Sequence, residues 1–375
     1  MEYKPLCTSE IAFKNRDEFY GWAMDLPVHN VVLVMDESLA GFLNLNEFTM
    51  DLQIRFAVRW IKKVPGNPTQ ADLNEALAAL EGFDPELILA VGGGSAIDLS
   101  KGISAMFERG KTAPGVEEIT ASIKGKTYRN KNKYPDIIAV PTTAGTGSEV
   151  TQWATVWDIS KEAKFSIDAP ALKPKMAVIV PDFTMSLPKR MILSTGLDAV
   201  AHAVEAFWAK PTTPLVGDLA LQAVRLMTEN LGPALKNPDN PELRKSLSRG
   251  ALLAGLAFSQ TRTTACHSIS YPMTFLYGVE HGFAAAMTLA AVAEVNAPVT
   301  ERMDELLEVF VPHRGIQSWM DRICEGIVTL RLSGFGIGEK DIPILVEKAF
   351  TTGRMDNNPV DLTPEQVEKI LLKLL

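Results

Sequence analysis

Leu87-Ile88-Leu89-Ala90-Val91-Gly92-Gly93-Gly94-Ser95-Ala96-Ile97-Asp98-Leu99-Ser100-Lys101 decides the fold class. Its first five residues are apolar without polar alternation, the mark of a strand buried on both faces of a parallel sheet. Three glycines then turn the chain, and Ala96 onward reads as a helix. A glycine turn between a strand and a helix N-terminus lets backbone approach a ligand closely and offers free N–H groups, which suits a pyrophosphate. The spacing is not G-x-G-x-x-G, so a standard Rossmann arrangement is not implied. Taken alone, the stretch is equally readable as a plain tight loop.

The same strand grammar recurs on both sides. Val31–Met35 ends at Asp36, Ile137–Val140 at Pro141, and Ala177–Val180 at Pro181. Helical patterns such as Gln70–Gly82 lie between several of these runs, so βα units of a layered α/β domain are expected. The second strand-end loop, Pro141-Thr142-Thr143-Ala144-Gly145-Thr146-Gly147-Ser148-Glu149, carries four hydroxyls and two glycines. It can bond phosphate, ribose or carboxamide oxygens, although a Ser/Thr-rich turn is the competing reading. Two such loops at strand ends of one sheet favour a bound dinucleotide. Asp36 can accept bonds from ribose hydroxyls and repel a 2′-phosphate, which favours NAD over NADP; a solvated turn aspartate is the alternative.

After Leu187 the pattern becomes helical, with helix-like spacing near 189–209, 214–231, 241–258, 282–296 and 341–351. Thr363-Pro364-Glu365-Gln366 carries the signature of a helix start. The expected organisation is an α/β domain with a mostly parallel sheet over 1–185 and an all-α domain over 186–375. Composition sets outer bounds. The chain has 375 residues, is 46% hydrophobic and 22% charged, and carries a net charge of −8. With no basic stripe, nucleic acid is not an expected partner. Three cysteines without a CxxC pair argue against a disulfide framework and for a reducing, cytoplasmic compartment. The MEYKPLCTSE start lacks the apolar core of a signal peptide, and no apolar run approaches the ~18 residues of a membrane span.

Asp198 and His202 stand four apart in a helical stretch and project from one face, an arrangement that suits a divalent metal. Chance pairs of this kind are common on helix surfaces. Of only five histidines, His267 and His281 also lack a solvated-face setting. A core histidine bonded to backbone is the alternative reading of each.

Together these motifs resemble the iron-containing (group III) alcohol dehydrogenase family over nearly the whole chain. The correspondence rests on GGGS-x-x-D at Gly92–Asp98, PTTxGTGSE at Pro141–Glu149, DPxxTxxLP at Pro181–Pro188, G-x-D-A-x-x-H-A-x-E at Gly196–Glu205, and NNP at Asn357–Pro359. The resemblance implies that the first domain binds nicotinamide cofactor, NAD(H), and that the second is a metal-binding helical domain, with the metal in the cleft between them. It also implies metal ligation by Asp198, His202, His267 and His281, with Fe²⁺ expected and Zn²⁺ compatible with the ligand set. The cofactor contacts that it implies are Asp36, Asn67, Gly93, Gly94, Ser95, Asp98, Thr142, Thr143, Thr146 and Lys164. Homo-oligomers, dimers included, are common in the family.

The chain departs from the family at Tyr271, where many members have a histidine four residues after the third ligand. That histidine is often assigned to proton transfer. Tyr271, with His267, is therefore the catalytic candidate here, although its side chain can also serve simply to shape the pocket. Arg262–Pro272 is similar to the branch containing phosphonoacetaldehyde reductases. A phosphonate needs cationic or amide donors, and Arg262, Thr263, Thr264 and Ser268 are the nearby candidates. Arg262 is equally readable as a structural arginine. The reaction that the resemblance implies is reduction of a small aldehyde, a phosphonate such as phosphonoacetaldehyde in the branch reading. The rival readings are a dehydrogenase of another small primary alcohol or diol, and a non-catalytic metal or nucleotide sensor.

Overall fold

Residues that alternate faces along three buried strands build two separate cores, one on each side of a sheet. The computed structural model describes residues 7–43, 45–62, 66–158 and 163–375. Its strands are β1 (Glu10–Phe13), β2 (Asn30–Met35), β3 (Ala57–Lys62), β4 (Leu87–Gly92), β5 (Asp136–Pro141), β6 (Trp153–Asp158), β7 (Ala163–Asp168) and β8 (Met176–Ile179). Six of them form one parallel sheet in the order β1-β8-β5-β4-β2-β3, and β6 and β7 form a separate antiparallel pair. Val32, Val34, Ile88, Ala90, Ile137 and Ala139 face one core together with the helix Gly94–Met106. Val31, Leu33, Met35, Leu89, Val91 and Val140 face the other, against Phe19, Phe48 and Phe183. Covering both faces is what makes a parallel strand read as an unbroken apolar run.

The expected runs are β2, β4, β5 and β8. The elements that sequence reading passed over are the two edge strands and the hairpin. β3 alternates, with Arg59 and Lys62 exposed and Ile61 buried. Being solvated on one side, it lacks the run that identified the inner strands.

The chain divides into two compact units, one comprising residues up to Thr143 together with Ser148–Ser186, the other Ala144–Gly147 together with Leu187–Leu375. The second unit is helical. Lys189–Trp208, Pro214–Lys236 and Pro241–Thr261 pack on one another, and glycines allow their close approach. A Cβ on Gly196 would meet Leu231 at 2.6 Å, and one on Gly250 would meet Met227 at 2.6 Å. Ala265–Tyr277 is a helix that no sequence signal announced, since Pro272 lies inside it. A proline there costs on the order of 3 kcal/mol. Full burial of Ala265, Cys266, Ile269 and Met273 along the same helix outweighs that cost. The helix expected near 282–296 is broken at Thr288 into His281–Met287 and Leu289–Asn296.

One stretch departs from the expectation that no segment reaches membrane-spanning length. His281–Val299 has 19 residues and a mean hydropathy of 1.3, but 67% of its apolar window is buried inside the protein. It is a core segment of the helical unit, and its apolarity answers to neighbouring helices.

Gly282 marks the tightest of these contacts: a Cβ there would stand 1.9 Å from the Ser194 carbonyl oxygen and 3.1 Å from Asp198 Cβ. Gly282→Ala is expected to destabilise the fold by about 3 kcal/mol, the upper range for overpacking, and to lower Tm by roughly 6–12 °C. Thermal unfolding followed by circular dichroism checks this; an unchanged Tm contradicts the packing described.

Candidate functional site

The C-terminal ends of β2 and β4 flank the point where the sheet changes direction. From β2 the chain runs outward to β3, and from β4 it runs the opposite way to β5. Open α/β sheets bind ligands in the crevice at such a point. Asp36 follows β2 there, half-buried. Gly93 is the N-cap of Gly94–Met106, Gly94 and Ser95 open that helix, and all three are partly accessible. On the neighbouring strand, Gly92 pairs with Pro141, and Thr142 N–H donates to the Gly92 carbonyl at 3.0 Å. A Cβ at Gly93 would lie 3.3 Å from Thr143 Cγ2, so the two loops already face each other. Thr142 is buried, while Thr143 and Thr146 are partly open.

The hairpin gathers candidates that are far apart in sequence. Asp98 accepts from Ser148 Oγ at 2.6 Å through one carboxylate oxygen and from Thr155 N–H in β6 at 2.9 Å through the other. Pro68 O accepts from Trp157 N–H at 2.8 Å, and Trp157 pairs with Lys164 in β7. Asn67, exposed beside Pro68, and the Lys164 backbone thus belong to one hairpin neighbourhood. The Lys164 side chain lies outside the described residues.

In the helical unit, Asp198 and His202 project from Lys189–Trp208, His267 lies in the first turn of Ala265–Tyr277, and His281 opens the next helix. Asp198, His267 and His281 present ligand atoms that all lie within 4.8 Å of one another. Asp198 Oδ1 stands 3.5 Å from His267 Nε2 and 3.9 Å from His281 Nε2. His202 stands one step aside from this tight group, its Nδ1 3.8 Å from Asp198 Oδ2. Its ring stacks between Phe258 and His267, at centroid distances of 4.1 and 4.5 Å.

Asp198 Oδ1, His202 Nδ1 and His267 Nε2 are buried with no hydrogen-bond partner. Buried polar atoms are rarely left so, and three orphans converging on a carboxylate–imidazole set are what a divalent cation would satisfy. The donor set fits a metal such as iron or zinc. Burial alone would raise the Asp198 carboxyl, but His202, His267 and His281 hold it well below the usual carboxylate range. Burial pushes His202 down to about 4, leaving a neutral imidazole with a lone pair to donate. For His267 burial acts downward, but the Glu205 and Asp198 carboxylates prevail and raise it to about 10.

Glu205, the last residue of the Gly196–Glu205 motif, has a role at this site that the motif alone does not reveal. It is fully buried. Its Oε1 accepts from Thr264 N–H (3.0 Å), Thr264 Oγ1 (2.7 Å), Cys266 N–H (2.8 Å) and His267 N–H (3.3 Å). Its Oε2 meets His267 Nδ1 in a short contact. One carboxylate thereby caps the Ala265–Tyr277 helix, which has no side-chain cap of its own, and turns His267 Nε2 toward Asp198. Its spacing signalled this: Glu205 falls three residues after His202 and seven after Asp198, on the same helix face.

The corner before His267 carries the remaining candidates. Arg262 adopts φ +66°, a left-handed backbone unusual outside glycine, and its side chain is exposed. Its Nη1 lies 3.5 Å from where a Cβ on Gly353 would stand, and Arg354 Nη1 donates to Gly353 O at 2.8 Å. The Asn357 side-chain amide bonds the carbonyls of Thr261 and Thr263 on either side of Arg262, at 2.8 and 3.0 Å. Thr263 is buried. Ser268 is fully buried, with its hydroxyl donating to Ala349 O (2.5 Å) and accepting from Thr351 N–H (3.0 Å). Its hydrogen is thus engaged in holding the chain at Ala349–Thr351, a structural tie that its place in the sequence does not reveal. Tyr271 lies near-parallel to His281 at 6.1 Å and is partly accessible.

Family models described as "Iron-containing alcohol dehydrogenase" and "Fe-containing alcohol dehydrogenase family, C-terminal" match residues 14–181 and 192–375. The chain is similar to 1,3-propanediol dehydrogenase of Klebsiella pneumoniae, 30% identical over 79% of this chain and 78% of that protein. It is also similar to phosphonoacetaldehyde reductase of Streptomyces viridochromogenes, 33% identical over 63% of this chain and 60% of that protein. Among solved structures, sulfoacetaldehyde reductase from Bifidobacterium kashiwanohense in complex with NAD+ matches with a TM-score of 0.84 and 26% identity, covering 100% of this chain and 99% of that one.

If Glu205 orients His267 for a metal, Glu205→Gln weakens metal affinity by about 10–100-fold. Competition with a chromogenic chelator reads this directly. An unchanged metal affinity in a folded variant shows that the carboxylate serves the helix end alone.

Proposed function

The chain belongs to the iron-containing alcohol dehydrogenase family, and on that premise we propose that it is an NAD-linked, metal-dependent enzyme that reduces a small anionic aldehyde, phosphonoacetaldehyde, to 2-hydroxyethylphosphonate. The observation that carries the metal-dependent reading is the set of orphaned buried donors around Asp198. The anionic-substrate reading is supported by the exposed Arg262, whose Nη1 lies 3.5 Å from where a Cβ on Gly353 would stand, at the corner that leads to His267. The partial similarity to a phosphonoacetaldehyde reductase points the same way. The similarity to a 1,3-propanediol dehydrogenase extends over more of the chain and favours the second reading, a dehydrogenase of a small diol or primary alcohol.

In this reading residues 1–185 hold the nicotinamide cofactor and residues 186–375 the metal. Asp198, His202, His267 and His281 hold the metal, which when bound supplies Lewis acidity and stabilises developing negative charge. Glu205 keeps a proton on His267 Nδ1. Asp36 accepts from the ribose hydroxyls, and the Gly93–Ser95 and Thr142–Thr146 loops hold the phosphates and carboxamide, with Asn67, Asp98 and Lys164 alongside. Phe258, stacked on His202, keeps water from one side of the metal centre. Tyr271 delivers the proton to the product oxygen, and Arg262 pairs with the phosphonate, with Thr263 as a neighbouring donor. A cytoplasmic homodimer is part of the same reading, and three free cysteines, two of them buried, suit a reducing compartment.

Protein purified anaerobically and loaded with Fe²⁺ is expected to oxidise NADH with phosphonoacetaldehyde at a kcat/KM well above that for uncharged short aldehydes. Arg262→Ala is expected to remove about 10–100-fold of that preference, the worth of a charge-assisted hydrogen bond. Equal turnover of uncharged aldehydes sinks the phosphonate assignment and leaves the diol or alcohol reading. Tyr271→Phe is expected to lower kcat by about 100-fold with little change in KM, as loss of a general acid does. An unchanged kcat places the proton source elsewhere.

A further inference from the structure

Lys101 is a lysine with no exposed surface, one turn after Asp98 in Gly94–Met106. Its Nζ lies within hydrogen-bond distance of four acceptors: Ser148 O at 2.7 Å, Ser148 Oγ at 2.8 Å, Trp153 O at 2.9 Å and Thr151 Oγ1 at 3.1 Å. Asp98 Oδ1 stands 4.0 Å away. Burial lowers the ammonium to about 8, with the Asp98 and Glu149 carboxylates acting against that shift and Lys173 with it. Burying a charge is costly, and an apolar side chain of the same length would fill this space without the penalty. What the ammonium adds is direction.

That direction is legible at Ser148. Because the Asp98 carboxylate can only accept, the Ser148 hydroxyl proton points to Asp98 Oδ1 at 2.6 Å, and Ser148 Oγ accepts from Nζ. Thr155 N–H meets the other Asp98 oxygen at 2.9 Å. A one-way chain thus runs from Lys101 through Ser148 to Asp98. The same ammonium ties Ser148, at the end of the second loop, and Thr151 and Trp153 after it to the helix that begins at the first loop.

We propose that Lys101 is a positioning residue of the cofactor site, holding Asp98 and the strand-end loops in the one arrangement that accepts a nicotinamide dinucleotide. The proposal rests on the reading of those loops as the NAD(H) site.

The test uses the full-length, metal-loaded protein. NADH affinity is read by energy transfer from tryptophan to the bound nicotinamide, alongside KM for NADH, KM for aldehyde and bound metal. Lys101→Met is expected to raise the NADH Kd and the KM for NADH at least tenfold, with the KM for aldehyde and metal content within about twofold of wild type. Lys101→Arg, which keeps donors, is expected to recover part of the loss. A purely structural lysine would lower the amount of folded protein and leave the NADH Kd of what folds unchanged, which overturns the proposal. Should Lys101→Met fail to fold, Ser148→Ala breaks the same chain, and a wild-type NADH Kd in that variant overturns the proposal equally. Wild-type protein that binds no NADH overturns the cofactor reading itself, an outcome separate from a wild type and a Lys101→Met variant that bind alike.

Discussion

The arrangement of the helical unit turns on one buried carboxylate. Glu205 has no access to solvent, and each of its oxygens is engaged: one by the amides and hydroxyl of Thr264–His267, the other by His267 Nδ1. A charge placed there is tolerable only because helix-end N–H groups and an imidazole surround it. In return it fixes where the Ala265–Tyr277 helix begins and which way the His267 ring faces. Asp198, one face and two turns earlier on the same helix as Glu205, meets the opposite nitrogen of that ring. The metal candidates are therefore a consequence of Glu205 holding one nitrogen of His267 while the other faces Asp198 with no hydrogen bond between them.

The sheet unit uses a comparable device with the charges reversed. There the buried group is the Lys101 ammonium, and the groups that it aligns are a hydroxyl and the Asp98 carboxylate. The parallel sheet explains why such alignment matters: all strand ends point the same way, so Asp36, the glycine turn and the threonine loop emerge on one edge. Loops so placed hold a ligand only where they are tied to the elements beside them, and Lys101 provides one such tie.

Rigid support also surrounds the corner at Arg262. A non-glycine residue at φ +66° persists only where its surroundings over-determine it. Asn357 grips the carbonyls on both sides, and Ser268 ties the corner's following helix to Ala349 and Thr351. Asn358 adds a reciprocal amide pair with Asn296, both fully buried. Through Asn357 the Asn357-Asn358-Pro359 motif is thus a clamp on the backbone of that corner.

The inner strands, the glycine turns, the three long helices and the spacing of Asp198 with His202 were legible from residue order alone, because each depends on local periodicity or on a residue type with one dominant conformational use. β3 and the hairpin were not, since exposure on one face erases the apolar run. The helix through Pro272 was not, since burial of its other side chains overrides a local penalty. Ser268 read as a free donor because nothing in its neighbours tells of Ala349, which lies 81 residues away in the chain. Sequence by itself determined the class of each unit and singled out candidate site residues. Tertiary structure decided which of them meet, that His202 stands apart from the tight group of Asp198, His267 and His281, and that Glu205 and Lys101 do the aligning. The physical reason is that hydrogen-bond direction and burial are properties of neighbours brought together by folding, and neither has a signature in local sequence.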